Sequence, residues 1–151
     1  MRRDADVLIA GLGPVGAVLA LLLGRRGINV VAVERDTEIY RLPRAAHFDA
    51  EIMRLFQQLG IADEMLAASR PISAYEFVTP TREIIMRFAV SAETSQGWAG
   101  GYLFHQPALE EALRDRLTAL PNVTLVTGAT VQSFAQDVDG VTATVLRDGA
   151  T

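Results

Sequence analysis

The chain contains no cysteine, and all fourteen of its basic residues are arginine. Without cysteine there is no disulfide, no thiolate nucleophile and no thiolate metal site, a composition compatible with a reducing compartment. Without lysine, protein-amine Schiff bases and a P-loop lysine are excluded as well. Histidine is scarce: His47 and His105 are the only two, and they stand too far apart for helical ligand spacing, so a metal site is not expected. A net charge of −4 and a pI of about 5.1 give no positive field to attract a phosphate backbone, so nucleic acid is not an expected partner. Charge is also missing between Val7 and Gly24, behind Met1-Arg2-Arg3, which superficially resembles a signal sequence or a short membrane span. Asp4 and Asp6 precede that run, and Gly11, Gly13, Pro14 and Gly16 interrupt it. No membrane insertion is therefore expected, and a cytoplasmic location is.

Half of the 151 residues are hydrophobic, enough to bury one real core. Ala5–Ala10 is a β-forming apolar run ended by glycine, read as a central parallel strand covered on both faces. From Pro14 the chain reads as a helix, apolar all round and therefore buried, that stops before Gly27. Ile28–Val33 is a second strand, ending at Glu34. Arg35–Ala46, with Pro43, is a loop. Asp49 caps a helix whose apolar face is expected at Ile52, Leu55, Phe56 and Leu59, closed by Gly60, and Ile61–Ala68 forms another short helix. Between Ser73 and Phe88 aromatic and β-branched residues alternate as in antiparallel sheet. After a loop over 91–101 and an extended Tyr102–His105, Pro107 opens a helix with a Leu109, Leu113, Leu117, Leu120 stripe; in it Glu110 and Glu111 precede Arg114 and Arg116, as the helix dipole favours. Asn122–Val126 is a third parallel strand, and Thr130–Gln136 with Val141–Leu146 form a hairpin turning at Asp139-Gly140. A second turn signal, Asp148-Gly149, is followed by no further strand, so the chain reads as a truncated piece of a longer protein.

Gly11-Leu12-Gly13-Pro14-Val15-Gly16 fits G-x-G-x-x-G. The hexapeptide alone is a weak signal. Between a strand and a helix, with an acid closing the next strand roughly twenty residues on, it becomes a dinucleotide-binding fingerprint. Gly11 permits the turn, Gly13 lets backbone approach a pyrophosphate, and Gly16 lets the helix pack on the sheet. The helix start offers unpaired N–H groups and partial positive charge, and Pro14 forfeits no needed donor there. Glu34 can accept hydrogen bonds from the adenosine ribose and would repel a 2′-phosphate. The first dinucleotide is thus FAD or NAD, with NADP disfavoured.

The residues beyond the fingerprint separate the two. Glu34-Arg35-Asp36, Leu42-Pro43-Arg44-Ala45, Glu51-Ile-Met-Arg-Leu-Phe-Gln-Gln-Leu-Gly60 and Phe104-His-Gln-Pro-Ala-Leu-Glu110, in this order and spacing, resemble the FAD-dependent aromatic hydroxylases, single-component flavoprotein monooxygenases. Within them the likeness is to the branch acting on 3-(3-hydroxyphenyl)propionate and related phenols. The resemblance implies an α/β fold, a Rossmann-like FAD-binding βαβ with a parallel sheet plus antiparallel strands. It makes residues 1–151 the N-terminal part of an FAD-binding domain, with 73–105 an excursion into the substrate-side sheet. It also implies that Arg35 lies along the adenosine, that Arg44 is near the flavin and its ribityl-pyrophosphate linkage, and that Gln106 bonds the ribityl chain. From the residues alone, Arg44 could be a plain surface charge and Gln106 an ordinary helix-start residue.

The implied reaction is hydroxylation of a small phenolic aromatic with NADH or NADPH and O₂, as in aromatic compound catabolism. The family's later Asp-Gly and Gly-Asp cofactor motifs are not found in this sequence; Asp139-Gly140 and Asp148-Gly149 have the flanks of hairpin turns. No catalytic residue is assigned, activity of these 151 residues alone is not expected, and no oligomeric state is read. The rival readings are an NAD-dependent dehydrogenase, which would continue in β-α alternation, a dinucleotide-binding fragment without turnover, and a membrane-anchored structural protein.

Overall fold

A computed structural model describes residues 4–42 and 44–147. Met1-Arg2-Arg3, Pro43 and the Asp148-Gly149 turn signal lie outside the described residues. In chain order the elements are β1 (Val7–Ala10), α1 (Pro14–Gly24), β2 (Val30–Glu34), β3 (His47–Phe48), α2 (Ala50–Gln58), α3 (Ala62–Ala67) and β4 (Ser69–Pro71). Then follow β5 (Ala74–Val78), β6 (Ile84–Ala89), β7 (Tyr102–Phe104), α4 (Gln106–Thr118), β8 (Val123–Thr127), β9 (Ala129–Gln136) and β10 (Val141–Arg147). The chain forms two compact units, one of residues up to Leu42 and from Leu109 onward, the other of the residues between.

The first unit is built on a parallel sheet of order β1-β2-β8. Val7 stands opposite Val30 and Ala10 opposite Val33, while Val30 pairs Val123 and Glu34 pairs Thr127. The central strand is β2, whose Val30, Ala32 and Val33 are buried. This corrects the expectation for the first strand: β1 lies at the edge among the described strands, with Leu8 and Ala10 exposed. An apolar run specifies a strand without specifying its place in the sheet, because the order depends on which later strand pairs with which.

Helix α1 is likewise buried on one face only. Ala17, Ala20, Leu21 and Gly24 pack inward, and Val15 is 84% exposed. At the end of that face the helix backbone sits close to its neighbours: a Cβ on Gly24 would strike Val123 and Leu120 side chains. Asn122 ties the end of α1 to the start of β2, donating from Nδ2 to the carbonyls of Gly24 (2.9 Å) and Ile28 (2.7 Å). The expected leucine stripe of α4 is buried at Leu109, Leu113 and Leu117. Strands β9 and β10 form the expected hairpin, where Asp137 Oδ1 accepts the amides of Asp139 and Gly140.

The second unit packs α2 and α3 beside an antiparallel sheet of order β3-β7-β4, whose short outer strands the periodicity did not reveal. Asp49 caps α2 as expected, its side chain accepting the Ile52 amide at 3.0 Å. The buried stripe is Ala50, Met53, Phe56 and Leu59, while Ile52 is 38% exposed. The predicted face was therefore rotated. Phe56, common to both faces, is anchored by Phe48, whose ring packs against Phe56, Tyr102 and Phe104 at centroid distances of 5.1 to 5.2 Å. Strands β5 and β6 form the antiparallel pair expected over 73–88.

Candidate functional site

The βαβ turn has one requirement at each glycine. Gly11 leaves β1 with its amide bonded to the Val33 carbonyl at 2.7 Å and with φ at +104°, a conformation that side-chain-bearing residues rarely adopt. Gly16 has no room: a Cβ there would collide with the Gly11 carbonyl oxygen, so α1 can lie against the turn only if this position is bare. Gly13 is the opposite case. Nothing lies within 4 Å of where its Cβ would be, and its carbonyl opens α1 by accepting the Ala17 amide at 2.9 Å. The amides of Gly13, Val15 and Gly16 donate no hydrogen bond among the described residues, and Pro14 has none to donate. The turn therefore offers open space, free N–H groups and the positive end of a helix dipole together, which suits a phosphate.

Glu34, at the end of β2, is joined to this turn. Its Oε2 accepts the Leu12 amide at 2.7 Å and its Oε1 accepts the Asp36 amide at 3.1 Å. Burial pushes its pKa up, but the amides of Leu12 and Asp36, the charge of Arg114 and the amide of Arg35 outweigh burial and hold it below the usual 4.5. A carboxylate has about four lone-pair sites, so acceptor capacity remains for a ribose hydroxyl. Arg35, expected along the adenosine, is largely exposed and lies 3.9 Å from Asp36. Arg114 was read from the sequence only as a helix-dipole match. The structure adds that its Nε is buried without a hydrogen-bond partner and that its charge is a lesser influence lowering the Glu34 pKa.

In the second unit, Gln106 is 5% exposed, and its Oε1 accepts the amides of Arg44 (2.8 Å) and Ala45 (2.7 Å). Gln106 and Arg44, to which the family resemblance gives separate roles at the flavin end, are joined through the Arg44 backbone. One buried side-chain carbonyl satisfies two successive amides and fixes the loop that carries the Arg44 guanidinium. The amide orientation follows as well, because Oε1 faces the loop and Nε2 must face elsewhere. Among the described residues no cluster of histidine or acidic side chains could hold a metal ion, and no helix is long and apolar enough to cross a membrane.

A parallel sheet entered through a glycine turn, with a carboxylate at the end of its second strand, is that of a dinucleotide-binding protein. The chain belongs to the FAD binding domain family, whose model matches residues 4–151. It is 43% identical over 141 residues to a probable NADH-specific resorcinol 4-hydroxylase of Rhodococcus jostii (strain RHA1), covering 93% of this chain and 27% of that protein. It is 37% identical over 140 residues to a 3-(3-hydroxy-phenyl)propionate/3-hydroxycinnamic acid hydroxylase of Paraburkholderia xenovorans (strain LB400), covering 92% of this chain and 22% of that one. The chain thus spans about a quarter of the length of these relatives. Among solved structures, aklavinone-11 hydroxylase in a ternary complex with FAD and aklavinone is similar with a TM-score of 0.81 at 27% identity, covering 98% of this chain and 30% of that one. The flavin-dependent monooxygenase PieE, in complex with FAD and substrate, has a TM-score of 0.79 at 26% identity, covering 95% and 27%.

Proposed function

We propose that this chain supplies the N-terminal part of the FAD site of an FAD-dependent monooxygenase that hydroxylates a phenolic aromatic compound with NAD(P)H and O₂. The observation that carries this reading is the Gly11–Gly16 turn held to Glu34, followed by an antiparallel β5–β6 hairpin in place of the further β-α alternation of a nicotinamide dehydrogenase. The family match supports FAD, and the relatives' names support a phenolic substrate. In this reading Gly11, Gly13, Pro14, Val15 and Gly16 receive the pyrophosphate, Glu34 takes the ribose hydroxyls and Arg35 lies along the adenosine. Arg44 and Gln106 serve the flavin end, and 73–105 belongs to the substrate side. NADH is the proposed reductant, by analogy with the resorcinol 4-hydroxylase, and the cytoplasm, where NADH is available, is the proposed location.

FAD, when bound, supplies the redox chemistry by which one oxygen atom of O₂ reaches the ring. The residues of this chain bind and orient it. Loop amides and the α1 dipole neutralise phosphate charge, Glu34 selects ribose hydroxyls over a 2′-phosphate, and Gln106 fixes the loop bearing Arg44. The test is to purify the intact protein, record its absorbance, and follow NADH and NADPH oxidation and product formation with a panel of phenols. A yellow protein that forms a hydroxylated product is expected. A colourless protein that takes up NAD and no FAD would restore the dehydrogenase reading, and flavin binding without product from any phenol would leave a binding module.

A further inference from the structure

The β3-β7-β4 sheet has two unlike faces. Side chains alternate along a strand, and residues directly opposite each other in neighbouring strands share a face. Phe48 and Tyr102 stack on the inner face, where both are buried and Phe48 meets Phe56 of α2. The register puts His47, Leu103 and Arg70 in one row on the other face, with His47 and Arg70 exposed and Leu103 38% exposed. Neither the imidazole nor the guanidinium of this row has a hydrogen bond or ion pair among the described residues. Strands lie about 4.8 Å apart, so the His47 and Arg70 backbones stand roughly 10 Å from each other with Leu103 between them. Tyr75 of β5 closes the row beside His47: its ring meets the imidazole edge-on at 5.4 Å, and its hydroxyl lies over Gly101, where a Cβ would come to 3.0 Å from it. The His47 end of the row adjoins the Arg44 loop. Ala46, next to His47, accepts the Phe104 amide at 3.0 Å, and Gln106 holds the Arg44 and Ala45 amides.

Three chemistries therefore follow one another along a line: an imidazole that can hydrogen-bond a hydroxyl, an apolar side chain on which a ring can lie, and a permanent positive charge that pairs with carboxylates. A neutral dihydroxybenzene would use the first two and leave the guanidinium idle. A phenol with a short acid arm uses all three. We propose that this face is the floor of the aromatic-substrate site and that Arg70 is its specificity-determining residue. The phenolic hydroxyl meets His47, the ring covers Leu103, and the carboxylate of the arm pairs with Arg70. The ring end falls at His47 because that end adjoins the loop assigned to the flavin, and the acid arm points away from it. This inference rests on the hydroxylase reading and narrows it, because it makes an anionic phenol the preferred substrate over the resorcinol named in the 43% identical relative.

The experiment titrates the intact protein by calorimetry with 3-(3-hydroxyphenyl)propionate and with resorcinol, as wild type, Arg70→Gln, Arg70→Lys and His47→Leu. Wild type should bind the acid more tightly than resorcinol. Arg70→Gln should weaken the acid about tenfold or more and leave resorcinol unchanged, since it removes one charge-assisted contact. Arg70→Lys should recover part of the acid's affinity by restoring the charge, and His47→Leu should weaken both compounds. Equal affinities in the wild type, no binding of the acid, or the same loss for both compounds in Arg70→Gln overturns the proposal. Unchanged binding in His47→Leu overturns the placement of the hydroxyl. A further measurement needs no variant: the Leu103 methyl resonances of the wild type should shift when the acid is added, through the ring current of the bound phenol, and unmoved resonances overturn the proposal. Product formation is followed in parallel. Acid binding that depends on Arg70 without any hydroxylated product would sink the hydroxylase reading and leave the binding face standing.

Discussion

At the scale of single residues, the glycines of the turn separate binding from folding. Gly13 borders open space and Gly16 borders the Gly11 carbonyl, so the same substitution should have opposite consequences at the two. Gly13→Val should fold with a normal circular dichroism spectrum and purify without flavin, because its branched side chain takes the place of phosphate oxygens. Gly16→Val should lose cooperative thermal unfolding, because α1 cannot sit on the turn. A flavin-loaded Gly13→Val protein would refute this geometry. Glu34→Ala removes charge-assisted hydrogen bonds worth about 1.5 to 3 kcal/mol each, so FAD affinity measured by fluorescence titration should fall about tenfold or more. Acid stability follows the same residue. The folded-state pKa of Glu34 lies below 4.5, so its contribution is complete above that value and is lost as the pH falls through the folded-state pKa. In Glu34→Gln the stability lost between those limits should shrink, as acid unfolding followed by fluorescence would show.

At the scale of elements, single polar side chains fasten the connections between elements. Asn122 bonds two carbonyls around the α1–β2 connection, so Asn122→Ala should cost about 1 to 3 kcal/mol, read as a lower denaturant midpoint at unchanged slope. Gln106 accepts the two amides of the Arg44 loop through Oε1, so its acceptor and donor atoms can be tested separately. Gln106→Glu keeps an acceptor for the two amides and loses the amide donor; Gln106→Ala loses both. If Gln106 also serves the flavin, both variants should weaken FAD binding, while only Gln106→Ala should loosen the loop, seen as faster hydrogen exchange at the Arg44 and Ala45 amides. Full flavin affinity in Gln106→Glu would confine this residue to loop support.

At the scale of the whole molecule, much apolar surface faces outward on the two hairpins. Phe77, Ile84, Ile85, Met86 and Phe88 on β5–β6 are all exposed, as are Phe134, Val141 and Leu146 on β9–β10. Exposed apolar sheet associates. The 151 residues expressed alone should therefore sediment as a concentration-dependent mixture, and Ile85→Glu, at a position 68% exposed, should shift that mixture toward monomer without changing the circular dichroism spectrum. They should also form no hydroxylated phenol when given FAD and NADH. Product above a no-protein control would show that this portion suffices for turnover.

Sequence alone determined what depends on short-range geometry. The turn from β1 into α1, the Asp49 cap, the β5–β6 and β9–β10 hairpins and the leucine stripe of α4 were all legible, because glycine conformation, capping and side-chain periodicity act over a few residues. The candidate residues Gly11, Gly13, Gly16 and Glu34 could be singled out for the same reason, lying in one motif of fixed spacing, and the structure joins Glu34 to the turn through the Leu12 amide. The structure decided what depends on contacts between distant segments. Among the described strands it set β2 and not β1 at the centre of the parallel sheet; it also exposed Val15 on a helix with no polar face and turned α2 so that Met53 replaced Ile52 in the core. It also brought the Gln106 carbonyl to the Arg44 loop. An apolar residue in sequence states only that it can be buried. Which surface buries it is settled when the whole chain packs.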